Sequence, residues 1–325
     1  MWSHIKLSIL PASSNTSSLW SHFTFLAFSH ISGTQNVLFV IFLSIYLIAL
    51  LGNLTIIFVI TSEVRLQSPM YFLLGHLSFL DLCYISVTVP EILSNIIGRR
   101  QITYSGCVVQ LLFFISMEGT EAFILAVMAY DRYVAICYPL RYCLIMNRDV
   151  CFLLVAASWL GGLLNSLVHT TLTFSLSFCE TNLKHFFCDI PPLLQVSCTQ
   201  TRVNELVLFV VGGIWVGFSP FIFIIISYTF IICTIIKIPS TEGRHKAFST
   251  CASHLTIVSL FYGTAIFTYI KPPATYSIQT GSLVSLFYSV ATPMFNPIIY
   301  SLRNQEIKKV IGKILKINYL KGIYT

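Results

Sequence analysis

Seven apolar runs, each near the roughly 20 residues that a helix needs to cross a bilayer, constrain this chain more than any other feature. They extend from Val37 to Ile60, Met70 to Ile97, Cys107 to Ile136, Val150 to Phe174, Leu206 to Ile236, Ala247 to Ile270 and Leu283 to Leu302. In lipid every backbone N–H and C=O needs an internal partner, and no run alternates apolar and polar residues as a barrel strand does, so each is expected to be a helix. Composition agrees: of 325 residues 56% are apolar and only 10% charged, far from the balance of a soluble globular domain. The expected fold is therefore all-α, a seven-transmembrane helix bundle. Residues 1–36 form an extracellular segment, 37–302 the membrane domain and 303–325 a cytoplasmic tail. Pro90, Pro220, Pro293 and Pro297 lie inside spans and predict kinks that neighbouring helices tolerate.

Charge sets the orientation. With the N-terminus outside, only Lys6, Arg99, Arg100, Lys184, Arg202 and Lys271 of the 19 basic residues remain outside, as the positive-inside bias requires. The net charge of +7 is thus a topology signal and gives no reason to expect nucleic acid. Residues 1–20 lack an apolar core followed by a small-residue cleavage site, so the first span is expected to be the anchor. Asn15-Thr16-Ser17 is a glycosylation acceptor on the outer side, whereas Asn53-Leu54-Thr55 lies in mid-span where no glycan can be added. After the seventh span, Ile307, Val310, Ile311, Ile314 and Leu315 share one helical face. Lys308, Lys309, Lys313 and Lys316 occupy others, which predicts an amphipathic helix on the inner leaflet.

Polar residues inside the spans mark function, because lipid makes them costly. Asp131 and Arg132 stand side by side where the third span meets the cytosol, and Asp81 sits within the second. Asn53, beside Gly52 in the first span, needs a polar partner, for which Asp81 is the natural choice. Glu118 and Glu121 lie one turn apart on the third span. Three such acids fit a protonated carboxyl, a bound cation such as sodium, or a neutral hydrogen-bonded network. They also fit a second reading of the whole chain, a transporter or channel whose proton or cation path is lined by Asp81, Glu118 and Glu121. No nucleophile, base and orienting group assemble into an enzyme site, and no metal-ligand spacing is present. On the oxidising side Cys107, Cys179, Cys188 and Cys198 allow three pairings.

Several stretches together resemble one family. These are Gly52-Asn53, Ser68-Pro69-Met70-Tyr71-Phe72-Leu73, Met128-Ala129-Tyr130-Asp131-Arg132-Tyr133-Val134-Ala135-Ile136-Cys137 and Ser227-Tyr228. The series continues with Lys246-Ala247-Phe248-Ser249-Thr250-Cys251-Ala252-Ser253-His254-Leu255 and Pro293-Met294-Phe295-Asn296-Pro297-Ile298-Ile299-Tyr300. In this order the chain resembles the odorant receptors, a branch of the rhodopsin-like G-protein-coupled receptors. The resemblance implies a plasma-membrane receptor that binds a small volatile odorant and activates a stimulatory heterotrimeric G protein. It implies that Arg132, paired with Asp131 and followed by Tyr133, is a switch that turns toward Tyr228, and that Asn296, Pro297 and Tyr300 form the hinge of the seventh span. It also implies disulfides joining Cys107 to Cys188 and Cys179 to Cys198, a sodium ion as modulator at Asp81 and Glu121, and no other cofactor. Trp159 matches a structural tryptophan of the fourth span. Gln67, Gln305 and Glu118 depart from the family pattern, and Glu118 bears on the ligand.

Helical spacing and family precedent together outline a pocket. Phe114, Ile115, Glu118 and Gly119 share a face of the third span, and Tyr262, Ala265, Ile266 and Tyr269 share one on the sixth. Gly213 and Val216 on the fifth, with Leu286 and Ser289 on the seventh, are expected to close an apolar cavity. Glu118 is the one ionisable group on that face, so neutral or amine ligands are expected rather than acids.

Overall fold

The computed structural model describes residues 21–26, 33–269, 290, 292–300, 304 and 306–313, with the side chains of 246, 250 and 267–269 outside that description. Asn15, Leu286, Ser289 and the side chain of Tyr269 therefore lie outside the described residues.

Among the described residues five helices are long and apolar enough to cross a membrane. They are α1 (Gln35–Ser62), α2 (Pro69–Ile96), α3 (Tyr104–Cys137), α4 (Arg148–Phe174) and α5 (Arg202–Ile236). Helix α6 (Thr241–Tyr269) follows, residues 292–300 are helical (α7), and 306–313 form α8. Each helix overlaps the apolar run that predicts it, and the ends are set by local chemistry. Thr103 accepts a hydrogen bond from the Gly106 N–H to begin α3, and Asn147 accepts one from Val150 N–H to begin α4. Pro69 enters α2 at its first turn, where its missing N–H costs nothing. Gly98, at φ +96°, turns the chain out of α2 through a left-handed conformation that a side chain would strain.

Helix α3 is the axis of the bundle, buried along most of its length between α2, α4 and α5. Its contact with α4 is made backbone to backbone. A Cβ on Gly162 would lie 2.2 Å from Thr120 Oγ1 and 2.5 Å from the Ser116 carbonyl oxygen, so only glycine fits there. Gly52 of α1 performs the same service for α7, since a Cβ there would meet Pro297 Cγ at 3.0 Å. Trp159 is half-buried on α4, with its ring 6.1 Å from that of Phe79.

Helix α5 departs from regular winding by more than the kink expected at Pro220. Leu208–Phe218 is π-helical, wound more widely than the α-helix on either side. The stretch holds Gly212, Gly213 and Gly217 and ends at Ser219-Pro220. Pro220 has no N–H to give the preceding turn, and the Ser219 hydroxyl donates to the Trp215 carbonyl at 2.6 Å instead.

The outer end carries a small sheet, in order β2-β1-β3, made of β1 (His22–Phe25), β2 (Gln101–Thr103) and β3 (Asn182–Leu183). β1 pairs antiparallel with β2, His22 opposite Thr103, and parallel with β3, Thr24 opposite Asn182. Phe23 and Phe25 point into the cap, and Phe23 packs edge-on against Phe178 at 5.4 Å. Disulfides Cys107–Cys188 and Cys179–Cys198 fix the second outer loop. On the inner side α8 has the expected amphipathic pattern. Ile307 is buried, Val310 and Ile311 are half-buried, and Lys308, Lys309 and Lys313 are exposed. Asn304 Oδ1 accepts from the N–H groups of Glu306 and Ile307 to start the helix, and Lys313 reaches Glu63 at 3.7 Å.

Candidate functional site

The inner end of α3 shows how a two-residue motif acquires surroundings. Asp131 and Arg132 are both buried. The two charges act on each other through space, but no ion pair within 4.0 Å joins them. Asp131 Oδ1 instead accepts a hydrogen bond of 2.7 Å from the Tyr142 hydroxyl, and among the described residues Arg132 makes no ion pair within 4.0 Å. Successive helical residues point about 100° apart, so neighbours in sequence do not face each other. Tyr142 stands in the short helical turn Tyr142–Ile145, which the loop after α3 lays beside Asp131.

Arg132 does lie within electrostatic range of Tyr228, His254 and Tyr300. The Tyr228 ring stacks on the imidazole of His254, with Tyr228 Oη 2.9 Å from His254 Nδ1 and His254 Nε2 3.1 Å from the Leu125 carbonyl oxygen. That carbonyl can only accept, so Nε2 carries the hydrogen, Nδ1 of the neutral ring accepts, and the Tyr228 hydroxyl donates. One fully buried imidazole thus ties α5 and α6 to α3 directly above Arg132. Beside it Tyr133 packs on Phe230, and the buried Tyr300 hydroxyl approaches Met128 Sδ at 4.0 Å.

Midway through the bundle Asn296 Nδ2 donates to both oxygens of Asp81, at 3.1 and 3.0 Å. Asn53 does not bond Asp81 as expected. Its Nδ2 donates to the carbonyls of Ala49 and Pro293, because the close approach allowed by Gly52 brings α7 to it first. Glu121 is electrostatically coupled to Asp81 and stands beside Asn296. Asn53 Oδ1, Asn296 Oδ1 and Glu121 Oε1 are buried with no hydrogen-bond donor among the described residues. Unpartnered oxygens around two carboxylates are the donor set that a hard cation takes, so these residues fit a sodium ion.

Toward the outer end, Phe114 is buried between the rings of Tyr84 (5.4 Å) and Phe187 (5.0 Å). Phe187 is held down by its neighbour Cys188 through the disulfide and through Gln110, whose Oε1 accepts from Cys188 N–H at 2.9 Å. Ile115 and Gly119 are buried and Glu118 is half-buried. A Cβ on Gly119 would meet Val216 Cγ1 at 3.4 Å, so α3 and α5 approach there. Tyr262 is buried with its ring 4.6 Å from Phe221, and Ala265 is half-buried. Two expected members do not join this group. Gly213 is exposed, because the π-helical winding of α5 separates it from the face that carries Val216, and Ile266 is 45% exposed at the edge of its helical face.

The sequence profile described as olfactory receptor matches residues 42–318. The chain belongs to the olfactory receptor family. It is 53% identical to olfactory receptor 1G1 of the gorilla Gorilla gorilla gorilla over 91% of this chain and 95% of that one. It is 48% identical to human olfactory receptor 5I1 over 92% of this chain and 95% of the other, and 49% identical to human olfactory receptor 10C1 over 94% and 97%. This olfactory receptor is accordingly a seven-transmembrane, multi-pass plasma-membrane protein of the G-protein-coupled class that senses odorants. The family is one of receptors and not of enzymes. Its family implies an odorant ligand and coupling to a G protein.

Two receptor residues with evident roles, Gln110 and Tyr142, escaped the sequence reading, and the partners of a third, His254, were not legible in it. Gln110 was marked only by being a polar residue one turn below Cys107. His254 is an isolated histidine whose partners come from two other helices. Tyr142 lies beyond the end of the α3 motif.

Proposed function

We propose that this receptor binds a small volatile ligand between α3, α5, α6 and α7, and that binding frees Arg132 to engage a stimulatory heterotrimeric G protein. The observation that carries the reading is the Tyr228–His254–Leu125 chain. It joins the three helices that border Arg132, so any ligand that moves α6 relative to α3 must break or remake it. Asp131 and Tyr133 hold the inner end of α3, while Asn296, Pro297 and Tyr300 let α7 bend.

Phe114, Ile115, Glu118, Gly119, Val216, Tyr262 and Ala265 are the pocket residues we put forward, under the lid formed by Phe187, with Tyr269, Leu286 and Ser289 as further members. The half-buried acid at Glu118 favours neutral or amine odorants over acids. A sodium ion held by Asp81 and Glu121, with the amide oxygens of Asn53 and Asn296, would neutralise their charge in the resting receptor. The extracellular segment is assigned to 1–36, with a glycan on Asn15, the receptor domain to 37–302 and the cytoplasmic tail to 303–325.

A cyclic-nucleotide reporter in cells expressing the full chain, screened against a broad odorant panel, tests this. A subset of compounds should raise the signal in a dose-dependent way. Silence of a receptor that is present at the cell surface, or a fall in cyclic nucleotide on stimulation, would contradict the stimulatory reading.

A further inference from the structure

Helix α4 contributes nothing to the pocket outlined above, yet it carries a group of buried polar atoms that nothing in the fold uses. Asn165 Oδ1, His169 Nε2 and Thr170 Oγ1 have no hydrogen-bond partner among the described residues, and the residues are only 7%, 3% and 5% exposed. Other polar side chains on the same helix are satisfied. Ser158 donates to the Leu154 carbonyl at 2.8 Å, and Ser166 donates to the Leu112 carbonyl across the interface with α3. Three unsatisfied groups within two turns of one helix call for a partner, since a buried polar atom left unpaired is destabilising.

What faces these groups is glycine backbone, which brings the neighbouring helices close to them. Asn165 and His169 stand four residues apart and so lie one above the other on α4. Opposite the imidazole is Gly212 of the π-helical stretch, where a Cβ would come within 3.3 Å of His169 Nε2. Opposite the amide is Gly119 of α3, where a Cβ would meet Asn165 Nδ2 at 3.5 Å and Val216 Cγ1 at 3.4 Å. Gly119 and Val216 are among the pocket residues put forward above, so the polar group borders that proposed pocket. The wide winding of α5 now has a consequence for binding: it turns a backbone without a side chain toward His169.

We infer that Asn165 and His169, set against Gly119 and Gly212, form a hydrogen-bonding subsite of the ligand pocket that selects odorants bearing a hydroxyl group. This rests on the pocket proposed above. The chemistry follows from what each atom can do. An amide oxygen only accepts, whereas a threonine hydroxyl and a neutral imidazole can each donate or accept. A ligand hydroxyl donates to Asn165 Oδ1 while accepting from His169, which lies on the same face of α4. An ether or aldehyde oxygen can only accept and leaves Asn165 unsatisfied, and a carboxylate brings a second negative charge beside Glu118.

The test uses the full chain and a defined probe set: n-alkanols, n-alkanals and methyl n-alkyl ethers of matched length. Cyclic-nucleotide dose-response curves are measured in cells. In parallel, the shift in unfolding temperature of the detergent-purified receptor reports binding without any G protein. Wild type should respond to the alkanols at concentrations about tenfold or more below those of matched ethers and alkanals, the difference of one buried hydrogen bond. Asn165→Leu should abolish that preference by weakening the alkanol response, and His169→Phe, which removes the donor, should weaken the alkanol and ether responses alike. Asn165→Asp, which keeps an acceptor oxygen, should retain it, and this distinguishes lost hydrogen bonding from lost folding. Equal wild-type affinity for the three classes, equal dose-response shifts for all ligands in Asn165→Leu, or no thermal shift with any alkanol would overturn the inference. A selective thermal shift with no cyclic-nucleotide response would leave the subsite standing and count instead against the proposed coupling.

Discussion

Arg132 is buried, adjacent to a carboxylate, and bound to neither that carboxylate nor any other acid among the described residues. A guanidinium in such a place contributes little to packing and is available for a partner that arrives from outside the bundle. Arg132→Ala should therefore reduce odorant-evoked cyclic nucleotide to the level of untransfected cells while surface staining stays within about twofold of wild type. Normal signalling from this variant would remove Arg132 from the switch. His254 carries a different expectation. His254→Phe keeps the ring and loses both hydrogen bonds, so α6 is no longer tied to Leu125. Basal cyclic nucleotide should rise several-fold without ligand, and an unchanged baseline would show that the chain from Tyr228 to Leu125 does not hold the resting state. At this scale the sequence was partly legible. It marked Asp131, Arg132 and Asp81 because charge in lipid is conspicuous. It misassigned the partners of Asp131 and Asn53, because which side chains meet depends on helix rotation and on a loop placed only by the fold. Tyr142 and Asn296, each far from its partner in sequence or on another element, illustrate both.

The elements of the outer cap give two further expectations. Cys107–Cys188 closes a long loop and, together with Gln110, presses Phe187 onto Phe114. Losing a disulfide of this kind costs about 2–5 kcal/mol. Cys107→Ser and Cys188→Ser should each sharply reduce surface delivery, and the double variant should be no worse than either. Clearly additive losses would contradict a shared constraint. His185, also in that loop, is fully buried, with Nδ1 3.0 Å from the Phe187 carbonyl oxygen. Burial lowers its pKa below the ordinary 6.5, against smaller upward effects of Asp189 and of the Phe187 carbonyl. Its neutral form is the one the fold prefers, so its contribution is complete above about pH 6.5 and is lost as pH falls below that value. Burial raises the pKa of Asp189, whose effect runs the opposite way, being lost as pH rises above 3.8. Unfolding temperature measured between pH 7.5 and 5.5 should thus fall in wild type and fall less in His185→Phe. Equal acid sensitivity of the two proteins would assign the effect elsewhere. Helix limits were legible at this scale because hydropathy and capping residues set them. The small sheet was not, since β2 and β3 are too short to show alternation. The π-helical stretch of α5 was only hinted at by its glycines and Pro220, which is why Gly213 was expected on the inner face.

For the whole molecule, length and composition fix the class, and the order of short motifs fixes the family. What the bundle adds is a continuous path: the cap at Phe187, the pocket around Phe114 and Tyr262, the Asp81–Asn296 contact, and the Tyr228–His254 link over Arg132. Close glycine contacts make that path stiff. Gly162→Ala would push a methyl into Thr120, an overpacking that costs about 1–3 kcal/mol or more, and most of the protein should be retained inside the cell. Wild-type surface levels for that variant would show that α3 and α4 can separate. The central claim is that odorant binding at one end is converted to G-protein activation at the other. Its most direct test is odorant-dependent nucleotide exchange on a purified stimulatory G protein, with the receptor reconstituted in lipid nanodiscs and an agonist taken from the cellular screen. The account predicts exchange that saturates with odorant for wild type and is absent for Arg132→Ala. Exchange indifferent to odorant, or equal in the two proteins, would contradict it.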